Sequence, residues 1–156
     1  MTVSHYSTIS FLSDYGHEDE FVGVVKSVIR SINESVEIVD ITHGIKPHDV
    51  RAGGLALARA SQYMLPGIVL AIVDPGVGTE RRAIAIEINN GETIFIGPDN
   101  GLLAPSIAMI GEPTRAVELS NPKFHLHSLS TTFAGRDIFA PVAAHLCNGT
   151  EHSDLG

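Results

Sequence analysis

The sequence predicts an α/β fold in which a mostly parallel sheet is flanked by helices and contains one antiparallel hairpin. Short apolar runs alternate with segments whose apolar residues recur at helical spacing, which is the pattern of βαβ units. The run at residues 68–73 is apolar throughout and short enough for a strand buried on both faces of a parallel sheet. Asn89-Asn90-Gly91 separates two later apolar runs, and such a turn is typical of a hairpin.

The strands and the first two helices each have a local signal. The predicted strands cover residues 9–12, 36–41, 68–73, 83–88, 93–96 and 116–119. The first helix opens with Glu18, Asp19 and Glu20, whose charges favour a helix N-terminus, and its apolar spacing continues to Ile32. Asp49 is placed to cap the second helix. The predicted apolar face of that helix comprises Leu55, Leu57, Ala58 and Tyr63.

Two further helices are predicted in the second half of the chain. A short one follows the loop Gly97-Pro98-Asp99-Asn100-Gly101 and passes through Leu102 and Leu103. The last helix begins near Asp137 and ends at Gly149. Its predicted apolar residues are Ile138, Phe139, Val142 and Leu146. Residues 121–132 are polar, and we expect them to be irregular.

The composition is that of one globular domain spanning residues 1–156. The chain is 44% hydrophobic and 18% charged, which suits a packed α/β core. Its net charge of −8, without any basic run, argues against binding to nucleic acid or to an anionic membrane surface. The same charge is compatible with a small cationic substrate.

The sequence carries no signal for export. Cys147 is the only cysteine, so an intrachain disulfide is impossible and a reducing compartment is favoured. Residues 1–10 lack a basic segment followed by an apolar one, and no apolar run could span a bilayer. We therefore expect a cytoplasmic protein.

Four aspartates mark the ends of predicted strands. Asp14, Asp40, Asp74 and Asp99 all fall at or just after such ends. Open α/β sheets bind ligands at the carboxyl ends of their strands, so the four indicate a shared, carboxylate-lined crevice. Asp74 also opens the glycine-rich turn Asp74-Pro75-Gly76-Val77-Gly78, and Arg81 follows seven positions later. A solvated aspartate in a tight turn is the alternative interpretation of Asp74.

Several common site motifs are absent from the sequence. Gly76-x-Gly78 lacks the third glycine of a dinucleotide-binding loop, and there is no phosphate-binding Gly-Lys-Ser/Thr motif. There is no Gly-x-Ser-x-Gly nucleophile elbow, and Cys147 lies in an apolar helix as a packed thiol. A metal site on His125 and His127, with His145 further along, is conceivable, but no cysteine or tightly spaced carboxylate supports it. We expect neither a metal nor a cofactor.

Five motifs occur in one order along the chain and together resemble a known family. They are Ser13-Asp14-Tyr15-Gly16, Val39-Asp40-Ile41-Thr42-His43, Val73-Asp74-Pro75-Gly76-Val77-Gly78-Thr79, Gly97-Pro98-Asp99-Asn100-Gly101-Leu102-Leu103 and Thr132-Phe133-Ala134-Gly135-Arg136-Asp137-Ile138-Phe139-Ala140-Pro141. From about residue 9 to about residue 149, the chain resembles the amino-terminal domain of the S-adenosylmethionine hydroxide adenosyltransferases, relatives of the fluorinating and chlorinating enzymes.

The resemblance implies an activity and a set of site residues. The family hydrolyses S-adenosylmethionine to adenosine and methionine by attack of water or hydroxide on ribose C5′. Asp74 and Arg81 match two members of the family's Asp-Arg-His set, which orients and activates the water. The residues that the resemblance assigns to substrate binding are Asp14 (ribose hydroxyls), Asp19 (methionine ammonium), His48 (beside the sugar), Thr132, Phe133 and Gly135. The substrate itself is S-adenosylmethionine, and no cofactor is implied.

Two departures from the family pattern affect the expected activity. The family's Phe-His-Gly-Arg-Asp reads Phe133-Ala134-Gly135-Arg136-Asp137 here, so a methyl group replaces the third member of the Asp-Arg-His set. Relatives also continue into a β-rich domain that supplies the adenine pocket, and they form homotrimers with substrate between subunits. This sequence contains no such domain, and together with Ala134 this leads us to expect impaired hydrolysis. By analogy with the relatives, we expect a homotrimer.

Two other hypotheses remain open from the sequence. A non-catalytic remnant would fold, self-associate and bind a nucleoside weakly. A metal-dependent hydrolase would use His125 and His127, and a chelator would abolish its activity.

Overall fold

The apolar runs form one six-stranded sheet in the computed structural model, which describes residues 6–128 and 130–156. The strands are β1 (Thr8–Ser13), β2 (Glu37–Thr42), β3 (Ile68–Ile72), β4 (Ala83–Ile88), β5 (Thr93–Pro98) and β6 (Pro113–Glu118). Their order is β2-β1-β3-β5-β4-β6. Neighbours from β2 to β5 pair in parallel, whereas β4 is antiparallel to both β5 and β6. The predicted fold class is confirmed.

Helices cover both faces of the sheet. They are α1 (Phe21–Ile32), α2 (Val50–Ser61), α3 (Ala104–Ile110) and α4 (Ala140–Cys147). α1 packs beside α4, and α2 packs beside α3. Side chains of β1 alternate between the two layers: Ile9 and Phe11 join the core with α1 and α4, and Leu12 joins the other core with α2 and α3. Both cores are apolar and fully buried at these positions.

The inward face of α2 combines Leu57 with small residues, which corrects the apolar face predicted from the sequence. Leu57 and Ala58 are buried as expected, but Leu55 is 46% exposed and Tyr63 is 85% exposed. Gly53 faces inward instead, and a Cβ there would lie 2.9 Å from Leu102 Cδ1. The helical spacing of apolar residues could not predict Gly53 on this face. The helix approaches Leu102 closely there, and only a glycine leaves room for that contact.

Local signals located the hairpin and the helix cap correctly. Asn89-Asn90-Gly91 forms a 3₁₀ turn between β4 and β5, with both asparagines in the left-handed region. The Asp49 side chain accepts a hydrogen bond from the Ala52 N–H and so caps α2. α3 begins at Ala104, so Leu102 and Leu103 precede this helix and the prediction that it passes through them is wrong.

A π-helical turn, Gly135–Phe139, precedes α4 and contains the predicted start of the last helix. Phe139, Val142 and Leu146 are buried, as predicted for the apolar face of this helix. Gly149 follows the helix with φ +95°, a conformation that suits glycine. π-helical turns occur often at functional sites, and this one borders the crevice described below.

The order of the strands reverses at β1 and β3, which are neighbours although β2 lies between them in sequence. Ser13 at the end of β1 pairs with Ile72 at the end of β3, so the next residues of both strands emerge side by side. The crevice at such a switch point, outside the carboxyl ends of the strands, is the usual ligand site of an open α/β sheet.

Two further predictions concern the buried cysteine and membrane-spanning helices. Cys147 is 3% exposed, and burial raises its thiol pKa to about 12, as expected of a packed core thiol. Within residues 6–128 and 130–156, no helix combines the length and the apolarity needed to cross a membrane.

Candidate functional site

A crevice of about 450 Å³ opens at the switch point between β1 and β3. It lies beside the turn that follows β1, the turn that follows β3 and the π-helical turn before α4. The predicted site residues that line it are Asp14, His48, Asp74, Thr132, Phe133 and Gly135. Its volume is within the range of pockets that hold small organic ligands, about 300–1,000 Å³.

Asp74, which lines the crevice, forms a bidentate ion pair with Arg81. Arg81 Nε is 2.9 Å from Asp74 Oδ1, and Arg81 Nη2 is 2.5 Å from Oδ2. The two side chains are only 5% and 14% exposed. The geometry uses the planar fork of the guanidinium and fixes the carboxylate orientation. The sequence predicted both residues for the site, and the structure brings them into direct contact.

The turn after β3 is built so that Arg81 can fold back onto Asp74. The Val77 N–H donates to the Asp74 carbonyl, and the Thr79 N–H donates to the Gly76 carbonyl. A Cβ on Gly76 would lie 3.1 Å from Arg81 Cγ, so glycine lets the arginine stem cross the turn. The glycine at residue 76 therefore allows the ion pair to form.

A second loop, residues 97–101, is hydrogen-bonded to the chain at the end of β3. The Asn100 side chain donates to the Val73 carbonyl, at 2.9 Å, and accepts from the Leu102 N–H, at 3.1 Å. Asp99 pairs with Arg82, one residue beyond Arg81. The motif of residues 97–101 thus holds the turn that carries the Asp74–Arg81 pair.

Asp14 lies at the other side of the switch point. Its Oδ2 accepts a hydrogen bond from the His48 backbone N–H, at 2.8 Å. His48 has φ +67°, a conformation that non-glycine residues adopt rarely, and this bend directs its N–H toward Asp14. A carboxylate has about four lone-pair sites, so Asp14 can still accept from two hydroxyl groups.

Aromatic rings form the third wall of the crevice. Phe133 lies edge-on to Tyr15 and Phe21, with ring centroids 5.9 Å and 5.2 Å apart. Burial, and then the charges of Asp14 and Asp74, raise the pKa of Tyr15 above its usual range. Its phenol therefore stays protonated. Tyr15 and Phe21 were not predicted as site residues, although Tyr15 directly follows Asp14 in sequence.

Gly135 allows the ring of Tyr15 to approach the π-helical turn. A Cβ at this position would overlap Tyr15 Oη and would lie 3.2 Å from Ile72 Cδ1. Thr132 and Phe133 precede it in the same segment. Arg136 follows, with its guanidinium 5.0 Å from the Phe133 ring centre and paired with Asp137.

Ala134 separates the crevice from a neighbouring hollow of about 450 Å³. It is 7% exposed and lines both spaces, whereas Asp74 lines the crevice and Arg81 lines the hollow. Residue 134 thus borders both the space that contains Asp74 and the space that contains Arg81. Ala134 is also part of the hydrophobic core that contains α1 and α4.

Two of the four strand-end aspartates lie outside the crevice, which corrects the prediction of one shared site. Asp40 binds Lys26 and His43, and Asp99 binds Arg82. A strand end places a carboxylate at the edge of the sheet, but only β1 and β3 flank the switch point. Asp19 also lies outside the lining of the crevice, in a shallow depression beside the start of α1.

The histidines of the metal hypothesis do not form a cluster in the described part of the chain. Within residues 6–128 and 130–156, no group of three or more His, Cys, Asp or Glu side chains could hold a metal ion. His127 is exposed, and His125 lines the hollow rather than the crevice. Burial lowers the pKa of four histidines, namely His43, His125, His145 and His152, which we call the desolvated histidines.

Comparison with known proteins identifies the family of this chain. Residues 9–156 match the model of the SAM hydroxide adenosyltransferase N-terminal domain. The chain belongs to this family.

Relatives of the hydroxide adenosyltransferase domain agree with that assignment. An (R)-S-adenosyl-L-methionine hydrolase of Salinispora tropica is 46% identical over 148 residues, covering 95% of this chain and 56% of the relative. A fluorinase of Actinoplanes sp. is more distant, at 31% identity over 170 residues, covering 95% of this chain and 57% of the relative. The chain therefore spans a little over half the length of these relatives.

A solved structure supports the fold. An uncharacterized conserved protein from Thermotoga maritima superposes with a TM-score of 0.89 at 43% identity, covering 95% of this chain and 57% of that one. The hydroxide adenosyltransferase domain described here thus shares its architecture with an experimentally solved relative.

Proposed function

We propose that this chain binds S-adenosyl-L-methionine in the crevice at the switch point and hydrolyses it to adenosine and L-methionine. The observation that carries the proposal is the desolvated Asp74–Arg81 pair, whose carboxylate lines the same crevice as Asp14. Relatives named as hydrolases of this substrate support it. A crevice with two carboxylates and aromatic walls also suits a sulfonium cation.

Asp14 would hold the ribose. Its carboxylate accepts the two hydroxyl hydrogens, while the His48 N–H fixes the position of one oxygen. His48 would lie beside the sugar, and Thr132, Phe133 and Gly135 would complete the wall next to it. Asp19 would meet the methionine ammonium at the outer end of the substrate.

Asp74 and Arg81 would orient the attacking water. Both carboxylate oxygens of Asp74 accept from Arg81, and each keeps a lone pair that can accept from the water. The positive guanidinium favours an oxygen nucleophile with hydroxide character. A bond forms between that oxygen and C5′, the C5′–sulfur bond breaks, and its electron pair leaves with sulfur as the neutral thioether of methionine.

This reaction needs neither a cofactor nor an acid at the leaving group. The sulfonium is already a good leaving group, so positioning and exclusion of water supply most of the acceleration. A proton must still leave the attacking water. Ala134 cannot accept it, and the Tyr15 phenol holds its own proton, so we propose that hydrolysis by this chain is slow.

The competing proposal is a nucleoside-binding protein without turnover. Ala134 favours it, because the position beside the ion pair has no group that exchanges protons. The two proposals differ in adenosine release from S-adenosylmethionine, measured by chromatography over time. Release that is lost in an Asp74→Asn variant supports hydrolysis, whereas binding without release supports the second proposal.

We also propose, by analogy with the family, that the chain forms a homotrimer and acts in the cytoplasm. One buried cysteine, Cys147, is consistent with a reducing compartment. Chelation should leave adenosine release unchanged, which distinguishes this proposal from a metal-dependent hydrolase.

A further inference from the structure

His43, which directly follows β2, is a buried histidine that the proposed reaction does not use. It is 1% exposed, and its ring packs edge-on against Phe11 and His17, with centroids 4.6 Å and 5.3 Å apart. Its Nδ1 is 2.6 Å from Ser13 Oγ, and its Nε2 is 2.7 Å from Asp40 Oδ1. Both ring nitrogens therefore have partners, and the neighbouring rings restrict the imidazole plane.

The direction of each hydrogen bond follows from the groups involved. The Asp40 carboxylate only accepts, so His43 Nε2 carries the proton between them. Burial lowers the pKa of His43, so the ring is neutral at neutral pH and Nδ1 is an acceptor. The Ser13 hydroxyl therefore donates to Nδ1. Its oxygen in turn accepts from the Tyr15 backbone N–H, at 3.2 Å.

This chain of hydrogen bonds ends at the turn that carries Asp14. Ser13 and Tyr15 flank Asp14 in sequence, and the Gly16 N–H donates to the His43 carbonyl at 2.8 Å. We infer that His43 is a positioning residue, which acts through the Ser13 hydroxyl to hold residues 13–16 so that the Asp14 carboxylate faces the crevice. The inference rests on the proposed role of Asp14 in binding the ribose.

The same three residue types could be mistaken for a nucleophilic triad. Ser13 is fully buried, however, and its oxygen is engaged by His43 and by the Tyr15 N–H. A hydroxyl without access to the crevice cannot attack a substrate there. Asp40, at the other end of the chain of hydrogen bonds, is 38% exposed and also pairs with Lys26. The arrangement is thus suited to holding a backbone turn.

Two substitutions of His43 separate its two contacts. Asparagine places its amide oxygen where Nδ1 lies, so His43→Asn keeps an acceptor for the Ser13 hydroxyl. Glutamine reaches further and places an amide nitrogen where Nε2 lies, so His43→Gln keeps a donor for Asp40 but loses the acceptor for Ser13. The two variants are matched in polarity and in the loss of the imidazole ring.

Amide hydrogen exchange, measured by NMR, reports on the hydrogen bonds of this turn and needs no ligand. The Tyr15 N–H reports on the Ser13 contact, and the His48 N–H reports on the position of the Asp14 carboxylate. We expect both amides to exchange roughly threefold to tenfold faster in His43→Gln than in His43→Asn, as loss of one hydrogen bond predicts. The Phe95 amide, in the central sheet, should be equal in the two variants.

Two results would overturn the inference. The first is that the Tyr15 and His48 amides exchange at equal rates in the two variants. The second is that the Phe95 amide is accelerated as much as they are, because this would indicate a general loss of stability. If the glutamine variant does not fold, Ser13→Ala tests the same connection. A folded Ser13→Ala variant with unchanged Tyr15 and His48 exchange would also overturn it.

Adenosine affinity, measured by calorimetry on the same proteins, connects the turn to binding. We expect His43→Gln to bind roughly threefold to tenfold more weakly than His43→Asn. If the unsubstituted chain binds neither adenosine nor S-adenosylmethionine, the proposed function fails. The exchange measurements still decide the inference about His43 in that case, since they need no ligand.

Discussion

Replacing Ala134 with histidine should accelerate adenosine release. Ala134 borders both the crevice that contains Asp74 and the hollow that contains Arg81, so we expect an imidazole there to lie near the pair that we propose orients the water. A group that accepts the proton of the attacking water contributes about 10²–10⁴-fold to the rate. The imidazole would also restore the Phe-His-Gly-Arg-Asp pattern that residues 133–137 resemble.

A larger side chain at residue 134 should cost some stability. Ala134 belongs to the core but also lines the crevice and the hollow, and insertion of extra atoms into a packed core costs about 1–3 kcal/mol. We therefore expect a folded variant with a modest loss of stability. Urea unfolding of the variant and of the unsubstituted chain measures this loss.

The assay compares turnover at saturating S-adenosylmethionine, with adenosine quantified by chromatography. Ala134→Phe is the matched control, because it adds a ring of similar size without a nitrogen. A rise of tenfold or more in Ala134→His, on the order of 1.4 kcal/mol in barrier, supports the reasoning. Equal turnover in a folded, substrate-binding Ala134→His variant would refute it, and the roles proposed for Asp74 and Arg81 would lose their main support.

Four other outcomes are expected. Asp14→Ala should weaken adenosine binding by about 1.5–3 kcal/mol for each hydrogen bond lost, and unchanged affinity by calorimetry would remove Asp14 from the site. Gly135→Ala should destabilise the fold by about 1–3 kcal/mol in urea unfolding, because a Cβ overlaps Tyr15 Oη; an unchanged unfolding midpoint would show that the ring can move away. The desolvated histidines have folded-state pKa values below their ordinary 6.5, so below about pH 6.5 the unfolded chain binds more protons than the folded one. The free energy of unfolding should therefore decrease as the pH falls below about 6.5. A free energy of unfolding that is constant down to about pH 5 would contradict this. Sedimentation should detect self-association at micromolar concentration, as apolar side chains such as Leu65 are exposed, and a clean monomer would count against the homotrimer.

The element types and their order could be predicted from local patterns. Apolar runs, the hairpin turn and the cap at Asp49 each depend on residues close in sequence, and such signals survive without knowledge of the packing. The five motifs likewise identified the family before any geometry was known, and the family model bears this out.

The small-residue face of α2 could not be predicted, for a reason of packing. Gly53 is buried because Leu102, which lies almost fifty positions away, approaches it within van der Waals distance. Hydrophobic periodicity records which residues avoid water but not how closely two elements approach each other. Leu55 is exposed on α2 although it is apolar, and Tyr63, which is also exposed, lies beyond the end of the helix.

The sequence by itself determined the fold class, the family and the positions of carboxylates at strand ends. Only the tertiary structure decided which of them share a site, because β1 and β3 become neighbours through a reversal of strand order that no local signal encodes. That reversal brings Asp14 and Asp74 to one crevice and leaves Asp40 and Asp99 in ion pairs elsewhere. It also places His43 behind the turn of Asp14, since β2 lies against the opposite edge of β1.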